Sequence, residues 1–381
     1  MKVLFVDDAP RVLEGLERAF FRIGDDIEFS SASGGAEAIE RLAAEEFEVI
    51  VTDMRMPGID GATLLERVHL SHPGVVRIVL SGQTDEAQAM RAAPFAHRFL
   101  AKPCDPVARI SAIRSTFRLR DALKDDVVRR AVGSLDKLPT TPLLYAALRA
   151  ALKDPDVDAD VVANVVRRDP AMVMKVLQLA NSSLFSRGKP LSDIRAAVVR
   201  LGSRAISHLV LAVEAFTVLA SGQSIKGFSV EEEQRLATEG AAIARALAPR
   251  VADEAIVGAM LCDIGRHVLA LTAPARVEEA FEHARAHRLP IQVAEEQLFG
   301  VTHAEVGGYL VGLWGLPTPI VEAIAYHHRP ECIAAGPEGD VAAAVCVALA
   351  LADGATPDAG LVERFGMTGH LDERVGGPIS L

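Results

Sequence analysis

Four apolar runs in the first hundred residues each end on polar chemistry: VLFV before Asp7-Asp8, VIVT before Asp53, VRIVL before Ser81, and RFLA before Lys102-Pro103. Runs of this length, alternating with helical patterns, are the signature of βαβ units and a parallel sheet. In a doubly wound parallel sheet the carboxyl ends of the strands open on one crevice, so polar residues at those ends converge although they are distant in sequence. Three carboxylates, a hydroxyl and an ammonium in one crevice suit a hard, oxygen-liganded cation beside a phosphoryl group. Any one of these aspartates alone also fits a helix N-cap or a turn. The set of four patches, each at a strand end, favours the shared pocket.

Residues 1–118, and in particular DMRMPGIDG and FLAKP, resemble the receiver domain of two-component response regulators. That resemblance implies that Asp53 accepts a phosphoryl group from a partner histidine kinase, with Mg²⁺ held by Asp8, Asp53 and the backbone carbonyl of Arg55, and by Asp7 through water. It further implies that Ser81 follows the phosphoryl group, that Lys102 pairs with it, that Phe99 is the aromatic that swings inward as Ser81 moves, and that Lys102-Pro103 is cis. The chemistry is coherent, because a carboxylate is a competent nucleophile once a metal and a lysine neutralise the incoming oxygens.

At 381 residues the chain suits two or three domains. A net charge of -11 argues against broad binding to nucleic-acid backbone, which depends on Lys and Arg neutralising phosphates. The start MKVLFVDD turns acidic too early for a secretory signal, and the apolar stretches near 205–220 and 341–352 are short or carry polar groups. Cys104, Cys262, Cys332 and Cys346 form no CxxC pair, as expected of a reduced compartment. A cytoplasmic protein is the expectation.

Past residue 103 the period becomes helical. Segment 105–135 reads as the last receiver helix extended into a connector, and LPTTP at 138–142 interrupts helix and marks a second domain over 136–355. Residues 356–381, containing Gly and Pro, read as a loose tail. The expected architecture is an α/β doubly wound receiver followed by an all-α output domain.

The motifs LPTTP, DPDVDADVVANVVRRDPAMVMKVLQLANSSLF, RLGSRAISHLVL and FGVTHAEVGGYLVGLWGLPTPIVEAIAYHHRP resemble an HDOD domain. That family is related to the HD-type metal phosphohydrolases and is regarded as a signalling or scaffolding module. Against the hydrolase pattern, Cys262 stands where the His of the His-Asp pair belongs and Leu236 aligns with an early ligand His, while Asp263, His303, His327, His328 and Asp353 persist. Losing two of these ligands lowers metal affinity, and Cys262 as a thiolate favours softer metals. A relic polar pocket without a bound metal follows, with Arg266 keeping a cation where an active enzyme often carries Lys.

The expected function is a phosphorelay response regulator whose HDOD domain acts by binding an unidentified protein partner, with homodimerisation a further possibility. The alternative is a phosphodiesterase acting on a cyclic dinucleotide or other nucleotide, which would need His267 or Glu239 to replace missing ligands.

Overall fold

The computed structural model describes residues 2–23, 27–81, 95–102, 138–140, 142–154, 157–182, 190–211, 216–218 and 225–368, with positions 88, 91–93, 132 and 185. Strands β1 (Lys2–Val6), β2 (Glu28–Ala32), β3 (Val49–Asp53), β4 (Val76–Ser81) and β5 (Arg98–Ala101) form one sheet in the order β2-β1-β3-β4-β5. Every pairing is parallel. Helices α1 (Pro10–Ile23), α2 (Gly35–Ala44) and α3 (Gly61–Ser71) are the described crossovers.

The apolar runs are continuous because both faces of the sheet are covered. Val3, Phe5, Val49, Val51, Val76 and Ile78 pack on the side of Leu16 and Phe20 from α1. Leu4, Val6, Ile50 and Val79 pack on the other side, with Leu42 of α2 and Leu64, Leu65 and Val68 of α3. This is the period-two division of a strand buried on both faces. The strand order reverses between β1 and β3, which puts Asp7 and Asp53 at the switch point. Just beyond it Asp60 caps α3, accepting from the Thr63 N–H at 2.8 Å, and a Cβ on Gly61 would lie 2.2 Å from the Asp53 carbonyl oxygen. Only glycine lets α3 start that close to the end of β3.

The second domain is built from α4 (Pro142–Ala151), α5 (Ala159–Val166), α6 (Pro170–Asn181), α7 (Ile194–Leu211, kinked at Gly202) and α8 (Val230–Leu247). It continues with α9 (Ala252–Leu261), α10 (Ile264–Thr272), α11 (Pro274–His287), α12 (Ile291–Phe299) and α13 (His303–Leu313). It closes with α14 (Thr318–Tyr326), α15 (Asp340–Ala352) and α16 (Ala359–Arg364). A short parallel pair, β6 (Leu138–Thr140) with β7 (Phe216–Val218), adds strand to an otherwise helical domain, and LPTTP supplies β6. The stretch Pro249–Thr272 is long and apolar enough to cross a membrane by length and composition, but 72% of its most apolar window is buried in the fold and it breaks into two helices around Cys262-Asp263.

One expectation needs amendment and another lies almost wholly outside the described residues. Residues 356–381, expected to be a loose tail, include α16, capped by Asp358, and place Leu361, Val362 and Met367 in the core, so the packed domain runs to at least Met367. These apolar residues outweigh the Gly and Pro around them. The connector 105–135 lies outside the described residues except for Val132, which is buried.

The two domains touch along the receiver's edge strand. The Gln178 amide on α6 donates to the His97 carbonyl at 3.4 Å, and Arg98 on β5 approaches Gly315, in the turn after α13. Next to this turn the Lys175 ammonium sits 3.9 Å from the centroid of Trp314. An edge strand left open is a pairing hazard, and here the second domain meets it at its start.

Within the second domain, α10 and α13 cross backbone to backbone. A Cβ on Gly265 would stand 2.0 Å from the His303 carbonyl oxygen and 2.8 Å from the Gly307 nitrogen. Gly265→Ala should therefore destabilise the folded chain by about 3 kcal/mol in urea unfolding, since neither contact is a flexible side-chain end. A change below about 0.5 kcal/mol would contradict a backbone crossing this close.

Candidate functional site

The receiver crevice assembles at the carboxyl ends of β1, β3 and β5. Asp7 and Asp8 follow β1, Asp53 ends β3 and Lys102 follows β5; one oxygen from each aspartate lies within 4.8 Å of the others. The Lys102 ammonium reaches Asp53 Oδ1 at 2.7 Å and Asp7 Oδ2 at 3.2 Å. Asp53 Oδ1 also accepts the Met54 N–H at 2.7 Å, and Asp7 Oδ1 accepts the Ala9 N–H at 2.9 Å, so backbone fixes both carboxylates. Asp7 is buried and Asp8 exposed, which gives the group one anchored floor and one solvent-facing arm. Three carboxylates against one ammonium leave negative charge in excess, a donor set that fits a hard divalent ion with part of its water shell.

Arg55 follows in the β3–α3 loop with an exposed side chain, and its carbonyl is on the chain segment leaving Asp53. Ser81 closes β4 in register with Ala101 of β5, while the placement of its hydroxyl lies outside the described residues, as do Pro103 and Cys104. Phe99 is 8% exposed and packs with the α2–α3 side of the core, so its ring is inward in this structure.

The second site lies where α8, α10, α12, α13 and the end of α14 meet. One donor atom each from Asp263, His303, His327 and His328 falls within a 4.8 Å group. Asp353 is absent from it. It caps the C-terminus of α15 with an exposed side chain, and its place in the motif order did not bring it to the pocket. Leu236 is half-buried on α8 and offers no ligand. Two carboxylates that sequence reasoning missed line the pocket instead. Glu233, one turn before Leu236 on α8, pairs with Arg266 Nη1 at 2.9 Å. Glu295 of α12 accepts from both the backbone N–H and Nδ1 of His303, at 2.9 and 2.6 Å. A helical wheel would have flagged Glu233, which shares its face with buried Ala237 and Gly240.

Neither proposed replacement ligand enters the group. Glu239 pairs with Arg235 at the surface, and His267, though buried, directs Nδ1 to the Asp263 carbonyl at 3.3 Å. The Cys262 thiol donates to the Ala259 carbonyl at 3.1 Å and lies 3.3 Å from Asp263 Oδ2. Burial and the adjacent Asp263 push this thiol well above its ordinary value, and Cys262 stands outside the group of four donors. Arg266 occupies the middle of the pocket: Nη2 is 3.0 Å from Asp263 Oδ1 and 3.2 Å from His303 Nε2. Guanidinium and metal would contest the same atoms, so the set as folded does not fit a divalent ion.

Comparison with known proteins matches two family models to the chain. The model of the HDOD domain matches residues 138–330, and that of the response regulator receiver domain matches residues 3–114. An uncharacterized protein of Treponema pallidum is 28% identical over 197 residues, covering 51% of this chain and 38% of its own. The response regulator protein PilR of Pseudomonas aeruginosa is 37% identical over 123 residues, 32% of this chain and 27% of its own. The chain thus spans well under half the length of these curated relatives. Among solved structures, the MmoQ response regulator of Methylococcus capsulatus aligns at TM-score 0.52 and 21% identity, covering 63% of this chain and 98% of that one. A virulence factor of Campylobacter jejuni aligns at TM-score 0.52 and 19% identity, covering 65% and 90%. At these identities the structures speak for the fold alone.

The buried charges of the second pocket titrate in opposite senses. Burial would raise Asp263, but Arg266 and His303 hold it well below the usual carboxylate range. Burial raises Glu233 to about 7 against the pull of Arg266. Burial and Arg266 pull His303 down, but Glu295 and Asp263 outweigh them and leave it raised. Burial lowers His327 to about 4, although Asp263 is near. A lowered imidazole means that the unfolded chain binds more protons between pH 6.5 and 4, so His327 costs stability as pH falls through that window, while His303 contributes stability that is lost as pH rises through its folded value. His327→Asn, which keeps a donor for the Ile324 carbonyl, should recover about 3 kcal/mol at pH 4 relative to pH 7 in the difference between variant and parent unfolding curves. Parallel pH profiles for the two proteins would contradict a neutral, buried His327.

Proposed function

The chain belongs to the HDOD family and carries a response regulator receiver domain at its amino end, and from that premise we propose that phosphorylation of Asp53 sets the state of a non-hydrolytic HDOD output domain. The observation that carries this reading is the Lys102 ammonium poised between Asp53 and Asp7, directly after the strand that also touches the output domain. A histidine kinase is the expected donor. An Asp53 oxygen attacks the phosphorus of the phosphohistidine, the P–O bond forms as the P–N bond breaks, and the imidazole leaves with a proton from solvent. Lys102 meets the phosphoryl oxygens, and the backbone bonds to Asp7 and Asp53 hold the carboxylates in line without reorganisation. Asp8, Asp53 and the Arg55 carbonyl, with Asp7 through water, would hold Mg²⁺, which supplies charge neutralisation to the transferring group.

The route to the output domain is short. Lys102, Phe99 and Arg98 lie on or beside β5, with alternate residues facing opposite sides of the sheet. A new phosphoryl charge that repositions Lys102, Ser81 and Phe99 displaces β5, and with it the contacts of His97 and Arg98 to Gln178 and Gly315. The consequence is a changed docking of the HDOD domain and a changed surface for its partner. The donor group of Asp263, His303, His327 and His328 is what speaks for the phosphodiesterase alternative, and Arg266 weighs against it by sitting on the donor atoms a metal would need.

Asp53→Asn should leave the thermal unfolding curve within about 1 kcal/mol of the parent while abolishing Mg²⁺-dependent labelling by a small phosphodonor such as acetyl phosphate. Lys102→Ala should retain Asp53 but label at least about tenfold more slowly, since one charge facing the phosphoryl oxygens is lost. Undiminished labelling of Asp53→Asn would remove that residue from its role.

A further inference from the structure

We propose that the guanidinium of Arg266 is the resident cation of the His/Asp pocket, filling the place of a divalent metal ion, and that its removal converts the pocket into a transition-metal site. Arg266 reaches three acceptor-bearing groups from three elements: Glu233 Oε1 on α8 at 2.9 Å, Asp263 Oδ1 at the start of α10 at 3.0 Å, and His303 Nε2 on α13 at 3.2 Å. The latter two belong to the donor group of four. A metal seated on those atoms would stand about 3–4 Å from a guanidinium that never deprotonates, and like charges at that separation repel strongly even at an effective dielectric near 20.

The guanidinium is also held in place. The Arg266 side chain is 12% exposed and that of Glu233 8%, so neither swings to solvent without stranding the other as an unpaired buried charge. The Gly265 crossing fixes where Arg266 emerges, with the α10 backbone against that of α13 at His303. His303 is locked from its far side by Glu295 at 2.6 Å, so its ring faces Arg266 and Asp263 in one orientation.

The remaining groups are arranged as metal ligands once the arginine is gone. His327 donates Nδ1–H to the Ile324 carbonyl at 2.8 Å, and its buried Nε2, without a hydrogen-bond partner among the described residues, lies 3.8 Å from Asp263 Oδ1. His328 Nε2 is 3.1 Å from His303 Nε2. Three imidazoles and a carboxylate form a set suited to Zn²⁺, Co²⁺ or Mn²⁺ rather than to Mg²⁺ or Ca²⁺. The second-sphere bonds from Glu295 to His303 and from His327 to the Ile324 carbonyl are the kind that orient such ligands.

This inference rests on reading the second domain as non-hydrolytic. The test uses the full chain and its variants Arg266→Ala and Arg266→Gln, with receiver-bound Mg²⁺ supplied throughout. After equilibration with Zn²⁺ and dialysis, elemental mass spectrometry should find no Zn²⁺ in the parent that depends on Asp263 and His303, and about one ion per chain in either variant. Co²⁺ titration should show at least about tenfold tighter binding by the variants, with visible absorption bands that vanish when His303→Ala is added. Where removal of the guanidinium loosens the fold, added Zn²⁺ should restore the melting temperature of the variant and leave that of the parent unmoved.

Stoichiometric Zn²⁺ in the parent lost with Asp263→Ala would overturn the inference. So would variants that take up no metal and gain no stability from it, whether folded or loosened. Neither result touches the non-hydrolytic reading, which falls instead if the parent cleaves a phosphodiester such as bis(p-nitrophenyl) phosphate.

Discussion

The receiver crevice depends on one ammonium shared by two carboxylates. Lys102 at 2.7 Å from Asp53 and 3.2 Å from Asp7 joins β5 to β3 and β1 across the open ends of the sheet. Without it the negative charges gathered at the switch point would repel at short range, and with it they remain in excess, a donor set that fits a hard divalent ion. The geometry follows from the parallel sheet, because strands running one way deliver all their ends to one side. Gly61 lets α3 begin against the end of β3, and Asp60 caps that helix, so the loop carrying Arg55 is short and fixed.

The second pocket solves a similar charge problem in the opposite manner. Glu233, Asp263 and Glu295 are again gathered near one basic side chain, but here the site is buried and the cation is a guanidinium whose donors are directed at Glu233 and His303. Lysine in the receiver is a compact point charge that yields space to a ligand. Arginine in the output domain fills the space. On the proposed reading the chain carries a loadable charge centre and a closed one in sequence, with β5 and its contacts to α6 and the α13–α14 turn between them.

How much of this is legible from residues alone depends on whether a site is made by topology or by tertiary crossing. The receiver site is topological: once apolar runs are recognised as parallel strands, Asp7, Asp8, Asp53 and Lys102 must converge, and they do. The HDOD pocket is made by helices meeting at angles that no linear pattern encodes. His303, His327, His328 and Asp263 are found by motif, but Glu233 and Glu295 stand in acidic runs, VEEEQ and AEEQ, where one carboxylate of each run is buried and its neighbours are exposed. Asp353 fails for the converse reason, since its place in the motif order gave no account of the direction in which α15 ends. The β6–β7 pair joins residues nearly eighty positions apart, beyond the reach of periodicity, and α16 is stabilised by packing that its glycine-rich flanks conceal.

The central claim is that a phosphoryl charge at Asp53 is felt in the output domain through β5. Hydrogen exchange of the full chain, with and without Mg²⁺ and beryllium fluoride as a phosphoryl mimic, tests it directly. The account predicts altered exchange at Arg98–Leu100 of β5 and in α6 around Gln178, in addition to the crevice, and none of these changes in Asp53→Asn. A response confined to the loops around Asp7, Asp53 and Lys102, with β5 and α6 unchanged, would contradict it.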